Sequence, residues 1–202
     1  LAAFGLASGG KLRWRIDAAG PAGPVAGGRF LGPPAAAEDR LYTLVEIEQS
    51  ICLVQIDSDT GTTEWVQPIM RSQREAPADP AAAGVTPTIG DRLVYCPTGR
   101  GAVVAVDPLL RRIAWVHYLG VDKDEARPAR QNGWRGFRGR ARLDDLDAWR
   151  HGRVVENQGR LVVVSPVSQS LQVLDAATGE ALWRRKRPSG WLLAAVLDAE
   201  VL

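Results

Sequence analysis

A motif that recurs about every fifty residues constrains the fold of this chain more than any other feature of its sequence. It places an Asp eight residues before a Trp, in the segments QIDSDTGTTEW (55–65), AVDPLLRRIAW (105–115) and LDAATGEALW (174–183), with a fainter copy at residues 3–14. Trp14, Trp65 and Trp115 are separated by 51 and 50 residues, and Trp183 follows after 68, one period plus an insertion of about 18. This spacing indicates a protein built from structural repeats.

Each period contains short apolar runs separated by turn residues. The runs are rich in Val, Leu, Ile and Tyr and are bounded by Gly, Pro, Asn or Asp, which predicts β-strands. About four strands fit one period, and in the third period they are GVTPTI, DRLVYCPT, AVVAVD and RIAWVHYL. We therefore predict an all-β chain that forms a partial β-propeller, with about three complete four-stranded antiparallel blades and incomplete blades at both ends.

The predicted blades occupy the whole chain apart from one insertion loop at residues 121–150. Their bounds are the end of a blade at 1–20, whole blades at 28–70, 83–120 and 151–187, and the start of another at 191–202. Two ends that complete each other would give four blades, but repeats of this kind need neighbours, which favours an open arc of a larger propeller. Because the chain begins with Leu1 and stops within an apolar run, we expect a segment of a longer protein.

Each residue type in the motif has a physical reason to recur. An Asp at the end of the third strand can accept hydrogen bonds from backbone N–H groups two residues on, as an Asx-turn. A Gly four residues later supplies the positive φ that a short hairpin requires. The Trp then lies on the fourth strand, where its flat ring can lie between neighbouring sheets while the indole N–H finds a carbonyl. One Trp in each blade is expected to space the blades.

The motif A-x-D-x-x-T-G-x-x-x-W resembles the tryptophan-docking motif of the PQQ-type (quinoprotein-like, BamB-like) β-propeller repeat family. The resemblance covers the chain from about Ala3 to its end, apart from the insertion. The docking residues that it implies are Asp57, Thr60, Gly61, Trp65, Ala105, Asp107, Trp115, Asp175, Thr178, Gly179 and Trp183.

Two copies of the motif depart from this pattern. The third copy has Leu110 and Arg111 where Thr and Gly belong, so we expect its hairpin to differ. The first copy fits if one residue is inserted before Trp14 and its motif positions are filled by Ala3, Gly5 in place of Asp, Ser8 and Gly9.

The resemblance implies two functions of different classes. We favour a non-catalytic propeller segment, without a cofactor, that acts as a scaffold for protein partners through its blade loops and joins the remaining blades of a larger propeller. The alternative is a fragment of a quinoprotein dehydrogenase that oxidises alcohols or sugars with PQQ and Ca²⁺. Family members are commonly periplasmic, secreted or membrane-tethered, which implies an extracytoplasmic location, although these residues contain no targeting segment.

Two segments resemble ligand-binding loops but lack essential residues. DSDTG (57–61) resembles the start of a calcium loop, yet Pro68 stands where an EF-hand has its bidentate Glu. Gly99 and Gly101 follow a strand, as in a dinucleotide-binding loop, but the third Gly is absent and Pro108 ends a strand rather than a helix. We predict neither a metal site nor a cofactor site.

The histidines and cysteines give no catalytic signature. His117 and His151 are the only histidines, and neither has a partner assigned by spacing, so we predict surface or packing roles and no catalytic residues. Cys52 and Cys96 are 44 residues apart without a CxxC motif or an adjacent pair. We expect two half-buried strand thiols, and a disulfide between them is the alternative.

The insertion is the most individual part of the sequence. Its segment QNGWRGFRGRAR interleaves Arg, Gly and aromatic residues, a composition that can stack on single-stranded RNA. Residues 121–153 nevertheless have a net charge of only +3, and the whole chain has +2, so nucleic acid is an unlikely partner. We favour a long surface loop with a short helix at LDDLDAW, whose candidate partner-binding residues are Trp134, Arg135, Phe137, Arg138 and Arg140. No apolar run is long enough to span a membrane.

Overall fold

The computed structural model describes residues 1–18, 20, 22–71, 84–99, 101–119, 153–164, 170–186 and 196. Within these ranges the chain forms β-strands and no helix. Sheet I contains β1 (Ala2–Gly5) and β2 (Lys11–Arg15). Sheet II contains β3 (Arg29–Phe30), β4 (Ala35–Ala37), β5 (Arg40–Ile47), β6 (Ser50–Asp57) and β7 (Thr63–Arg71). Sheet III contains β8 (Thr88–Ile89), β9 (Val94–Pro97), β10 (Ala102–Asp107) and β11 (Arg112–Tyr118). Sheet IV contains β12 (Arg153–Asn157), β13 (Arg160–Val164), β14 (Ser170–Asp175) and β15 (Ala181–Lys186).

Sheets I, III and IV are antiparallel meanders in which strands that follow one another in sequence are hydrogen-bonded neighbours, and sheet II differs only at its first two short strands, which both pair with β5. Sheets III and IV run in the orders β8-β9-β10-β11 and β12-β13-β14-β15, and sheet II runs β3-β5-β6-β7 with β4 also paired to β5. The predicted all-β fold of consecutive four-stranded antiparallel sheets is therefore confirmed. The predicted insertion at 121–150 and the predicted blade start at 191–202 lie outside the described residues, except for Val196.

Tight two-residue turns join β5 to β6 and β12 to β13. Ile47 pairs with Ser50, and the two residues between them, Glu48 and Gln49, both have positive φ, 47° and 63°. The turn between β12 and β13 has the same form, with Gln158 at 50° and Gly159 at 75°. Two successive positive φ angles match the right-handed twist of antiparallel strands, so these turns fix the register of each hairpin.

Side chains of the central strands alternate between two neighbouring sheets. In β10, Val104 and Val106 belong to the cluster shared with sheet II, whereas Val103 and Ala105 belong to the cluster shared with sheet IV. All six residues of β10 are buried. Because successive side chains of a strand point to opposite faces, this continuous apolar run fills two interfaces at once.

The core consequently lies between the sheets. One cluster joins sheets I and II through residues that include Ile16, Cys52 and Val54. A second joins sheets II and III, and a third joins sheets III and IV. Val162, Val164 and Val173 form a further cluster on the other face of sheet IV, where Val196 packs against them. The sheets are therefore stacked face to face in the order of the sequence.

A β-bulge recurs immediately before the motif Trp in all four sheets. The register shifts between Ala3 and Phe4, Gln55 and Ile56, Ala105 and Val106, and Val173 and Leu174. In each case the residue before the shift pairs with the Trp: Ala3 with Trp14, Gln55 with Trp65, Ala105 with Trp115 and Val173 with Trp183. A bulge re-aims the side chain beside it, which explains why the Trp keeps the same place in each repeat.

Candidate functional site

The motif Asp residues organise the turns between the third and fourth strands. Asp57 Oδ1 accepts hydrogen bonds from the backbone N–H of Asp59 at 3.1 Å, from that of Thr60 at 2.7 Å and from Thr60 Oγ1 at 2.7 Å. Asp175 Oδ1 accepts the same three bonds from Ala177 and Thr178, at 3.0, 2.8 and 3.1 Å. The Asx-turn that the sequence predicts is thus present at both motif copies.

The third turn keeps this backbone without Thr or Gly. Asp107 Oδ1 accepts the N–H of Leu109 at 3.1 Å and that of Leu110 at 2.9 Å. Arg111 occupies the Gly position with a φ of 50°, in the same left-handed region as Gly61 and Gly179. The expectation that this hairpin must differ is therefore wrong for its backbone. The bonds of the threonine hydroxyl are missing here, but the Asp carboxylate still accepts both backbone N–H groups.

Two motif tryptophans lie on the turn glycine of the following sheet. Gly61, in sheet II, faces Trp14 of sheet I so closely that an added Cβ would lie 2.6 Å from Cδ2 of the indole. Gly179, in sheet IV, faces Trp115 of sheet III, and an added Cβ there would lie 2.5 Å from Cδ2. The indole N–H of Trp14 donates to Ser58 O at 2.9 Å, and that of Trp115 donates to Ala176 O at 3.2 Å. These turns therefore need Gly for close approach as well as for positive φ.

The other two motif tryptophans have different surroundings. Trp65 packs against the cluster between sheets II and III. Trp183 is 42% exposed on the far face of sheet IV, and it donates no hydrogen bond to any of the described residues. A docking role for the whole set of motif residues stays a prediction.

Sequence reasoning missed two polar links between sheets III and IV. Tyr95 Oη donates to Ala176 O at 3.1 Å, so this carbonyl accepts from both Tyr95 and Trp115, whose rings lie 5.9 Å apart. Buried Gln172 donates to Leu119 O at 2.8 Å, and its Oε1 lies 3.3 Å from Nε2 of His117. The available signal for the first link is a Tyr that follows an Asp-Arg dipeptide after one residue in the second period (Tyr42) and after two in the third (Tyr95). Gln172 has no such signal.

A cleft of about 620 Å³ opens between the turns of sheets III and IV. Its walls are charged and include Asp91, Arg92, Asp107, Arg112, Glu156 and Asp175. Arg92 and Asp107 form an ion pair across 3.5 Å. Tyr95 also lines the cleft, and its pKa is raised to about 12, first by burial and then by the charges of Glu156, Asp91 and Asp175. The phenol therefore stays protonated at neutral pH and serves as the donor to Ala176.

Replacing Asp175 with Asn should reduce the loss of unfolding free energy that accompanies a fall in pH. Hydrogen bonds from the backbone N–H and hydroxyl of Thr178 lower the pKa of Asp175. A lowered folded-state pKa contributes stability above the unfolded pKa, about 3.9, which is lost as pH falls toward the folded value. Asn keeps an acceptor oxygen but cannot titrate. Urea unfolding measured between neutral pH and pH 3 should show that the free energy of unfolding falls less steeply for Asp175→Asn than for the wild type. An equal fall in both proteins would contradict a lowered pKa at Asp175.

The thiols are free and buried. Cys52 belongs to the cluster between sheets I and II, whereas Cys96 belongs to the cluster between sheets II and III, so the disulfide alternative is not formed. Burial raises the pKa of Cys52 to about 11 and raises that of Cys96 as well. Both cysteines are more buried than the half-buried thiols that the sequence predicts, and a protonated buried thiol is a poor nucleophile.

The described ranges show neither a metal cluster nor a membrane helix. They contain no group of three or more His, Cys, Asp or Glu side chains placed to hold a metal ion. They also contain no helix of the length and hydropathy needed to cross a bilayer. The predicted partner-binding residues Trp134, Arg135, Phe137, Arg138 and Arg140, the predicted short helix and His151 all lie outside the described residues.

The stacked four-stranded sheets, with a turn and a tryptophan repeated in each, define a β-propeller repeat protein. Residues 3–125 match the sequence family described as outer membrane protein assembly factor BamB. This match covers more than half of the chain, and the chain belongs to that family. No curated protein matches the sequence at a significant level.

Solved structures with a similar fold include BamB from Moraxella catarrhalis, at 15% identity and a TM-score of 0.54. The similar region covers 88% of this chain and 41% of that chain, so this chain spans less than half the length of that protein. A quinohemoprotein alcohol dehydrogenase, ADHIIG from Pseudomonas putida HK5, has 17% identity and a TM-score of 0.48 over 88% of this chain and 30% of that chain. The computationally designed Ika8 protein has 11% identity and a TM-score of 0.48, over 79% and 37%.

Proposed function

We propose that this chain is a non-catalytic segment of a β-propeller that serves as a rigid scaffold for protein partners outside the cytoplasm. The family to which it belongs is described as an assembly factor for outer membrane proteins, which supports a role in binding other proteins. Rigidity follows from sheets whose central strands are buried on both faces. The observation that carries the proposal is the last strand of sheet III, β11, whose residues 113–118 contain no Lys, Arg, Asp or Glu, unlike the last strands of the other sheets.

The last strand of each sheet, β2, β7, β11 or β15, is its outer strand. An outer strand carries unpaired backbone groups that can pair with another chain, and proteins normally protect such strands with charges or proline. Strand β2 carries Lys11, Arg13 and Arg15, β7 carries Pro68, and β15 carries Arg184, Arg185 and Lys186. Leu12 of β2 and Leu182 of β15 are exposed as well, but they lie beside these charges. Strand β11 begins with Arg112, but residues 113–118 contain no Lys, Arg, Asp, Glu or Pro, and Ile113, Val116 and Tyr118 are 37%, 40% and 73% exposed. The turn before it adds Leu109 and Leu110, which are 87% and 54% exposed.

Such an edge suits an extended peptide segment with apolar residues at alternate positions. Val116 and Tyr118 are two residues apart and therefore lie on one face of β11, because side chains alternate along a strand. A partner strand added beside β11 would form backbone hydrogen bonds along the edge and place its own alternate side chains against these two. Exposed contiguous apolar surface of this kind is typical of a protein-binding site.

A photo-crosslinking amino acid at position 118 should capture a discrete partner in cells that produce the complete protein. The matched control is the same amino acid at Lys186, because Tyr118 and Lys186 both follow their motif Trp by three residues. Crosslinking from position 118 should be lost when Val116→Arg introduces the residue that β15 has at its equivalent site, Arg184. The measurement is the intensity and identity of the crosslinked band.

Two outcomes would contradict the proposal. Equal crosslinking from positions 118 and 186 would remove the special role of β11. Quinone absorbance and dye-linked oxidation of an alcohol or sugar, after the complete protein is incubated with PQQ and Ca²⁺, would favour the dehydrogenase alternative over a scaffold.

A further inference from the structure

The turn between β10 and β11 departs from the other motif turns at three consecutive positions. Residues 109–111 are Leu-Leu-Arg, whereas the equivalent residues are Asp-Thr-Gly at 59–61 in sheet II and Ala-Thr-Gly at 177–179 in sheet IV. The turn belongs to sheet III, which has sheet II packed on one face and sheet IV on the other. Both neighbouring sheets are thus present, and the exposure of this turn is not that of an uncovered sheet face.

The departures weaken the turn as a structural element. Arg111 has a φ of 50°, a left-handed conformation that is costly for a residue with a Cβ and that Gly61 and Gly179 adopt more easily. The hydroxyl bonds that Thr60 and Thr178 donate to their Asp residues have no counterpart, because Leu110 stands at that position. A strained residue that the fold does not require indicates a role for its side chain.

The turn also lacks the indole hydrogen bond that the glycine turns accept. Trp14 and Trp115 donate their indole N–H groups to Ser58 O and Ala176 O, each on the residue after the motif Asp of the following sheet. Trp65 precedes sheet III in the same way, but it donates no hydrogen bond to any residue within the described ranges. The sequence of this turn therefore serves neither its own backbone nor the docking of the preceding Trp.

The side chains of the turn are directed to solvent instead. Leu109 is 87% exposed, Leu110 is 54% exposed, and Arg111 is exposed as well. Arg111 forms no ion pair with any residue that the structure describes. Two adjacent exposed leucines beside such a guanidinium are typical of a binding surface, where apolar contact and a charge-assisted hydrogen bond can act together.

The turn lies at the end of the apolar edge of β11 and on the same side of sheet III. Val116 pairs with Val104, which packs in the cluster shared with sheet II, and Tyr118 follows on the same face two residues later. The motif position of Arg111 also faces the preceding sheet, because the turn glycines of sheets II and IV each contact the Trp of the sheet before them. The charged cleft lies between sheets III and IV, on the other face of sheet III, and residues 109–111 do not line it.

We propose that residues 109–111 anchor the protein segment that pairs with β11, through apolar contact with the two leucines and an ion pair between Arg111 and a carboxylate of that segment. The inference rests on the proposed function and specifies the chemistry of the partner. The partner segment is extended, with apolar residues at alternate positions and an Asp or Glu at the end that lies beside the turn. An anionic membrane surface would also attract leucines and arginine, but it cannot pair with the backbone groups of β11, so a polypeptide is the favoured occupant.

Arg111→Gly separates binding from folding, because its two effects have opposite signs. Restoring the motif glycine relieves the left-handed strain, so the urea concentration at the midpoint of unfolding should rise. In cells that produce the complete protein, crosslinking from position 118 should fall several-fold, since the guanidinium is lost. Glu48→Gly is the matched control, because Glu48 is also a non-glycine residue with a left-handed φ, 47°, but lies in the turn between β5 and β6. It should raise the midpoint and leave the crosslinking unchanged.

Two further changes test the anchor residues separately. Leu109→Ser combined with Leu110→Ser should weaken the same crosslinked band several-fold without altering the midpoint, because both side chains are exposed. Arg111→Lys keeps the positive charge and the strained backbone, so it should retain more of the band than Arg111→Gly, whereas Arg111→Glu should abolish it.

Three outcomes would overturn the inference. A wild-type band from position 118 that is undiminished in every turn variant would remove the turn as an anchor and leave the proposed function standing. Absence of that band from the wild type would remove the proposed function and this inference together. Co-sedimentation of the purified complete protein with phosphatidylglycerol vesicles, lost in the double leucine variant, would assign the turn to a lipid surface instead of a protein segment.

Discussion

Replacing Gly179 with Ala should destabilise the protein about twice as much as the same replacement at Gly159, although both glycines have a φ of 75°. At Gly159 an added Cβ meets nothing within 4 Å, so the cost is the left-handed backbone alone, about 1–2 kcal/mol. At Gly179 the Cβ would lie 2.5 Å from the Trp115 ring, which must move off the turn. Overpacking adds roughly 1–3 kcal/mol, so the total should reach about 2–5 kcal/mol.

Urea unfolding of the two variants measures this difference, and Gly159→Ala is the matched control because φ and residue type are the same. Gly61→Ala should repeat the large effect through Trp14. Equal losses at positions 159 and 179 would show that conformational strain accounts for the whole cost and that the indole contact contributes nothing.

Replacing Trp115 with Ala should lower the free energy of unfolding by about 3 kcal/mol, near the lower end for large-to-small changes at aromatic sites because the ring is only half-buried. The change removes the packing on Gly179 and on Tyr95, and it also removes the hydrogen bond to Ala176 O. Linear extrapolation of urea unfolding curves gives the value.

Trp115→Phe removes the indole N–H group but keeps an aromatic ring at this position. It loses the bond to Ala176 and part of the ring area on the turn, so we expect a cost above the roughly 1 kcal/mol typical of one hydrogen bond but below that of Trp115→Ala. Leu110→Ala, on the exposed turn of the same sheet, should stay within about 0.5 kcal/mol of the wild type. A loss at Trp115 no larger than that at Leu110 would contradict a structural role for the indole contact.

The strands could be predicted from sequence because their signals are local. Apolar runs, turn residues and a fifty-residue period together specify four short strands per repeat, and the described sheets II, III and IV follow that plan. Even the weak first copy could be aligned: Ala3 pairs with Trp14 as Gln55 pairs with Trp65, which places Gly5 at the Asp position.

The contacts between sheets could not be predicted because they depend on residues distant in sequence. Gly179 and Trp115 are 64 positions apart, and only the stacked sheets show that the glycine is needed for close approach as well as for its dihedral angle. The prediction that the third hairpin differs failed for a local reason instead. Its sequence lacks Thr and Gly, yet Asp107 alone fixes the backbone and Arg111 adopts the left-handed conformation. The bulge before each Trp has no residue signature at all.

The alternation of side chains along β6 and β10 limits how these repeats can change length. Removing Val104 from the middle of β10 would transfer every later side chain from one interface to the other and present Ala105 where Val104 had packed. Only changes by two residues preserve both interfaces. Evolution and engineering can therefore change the length of the central strands only by dipeptides.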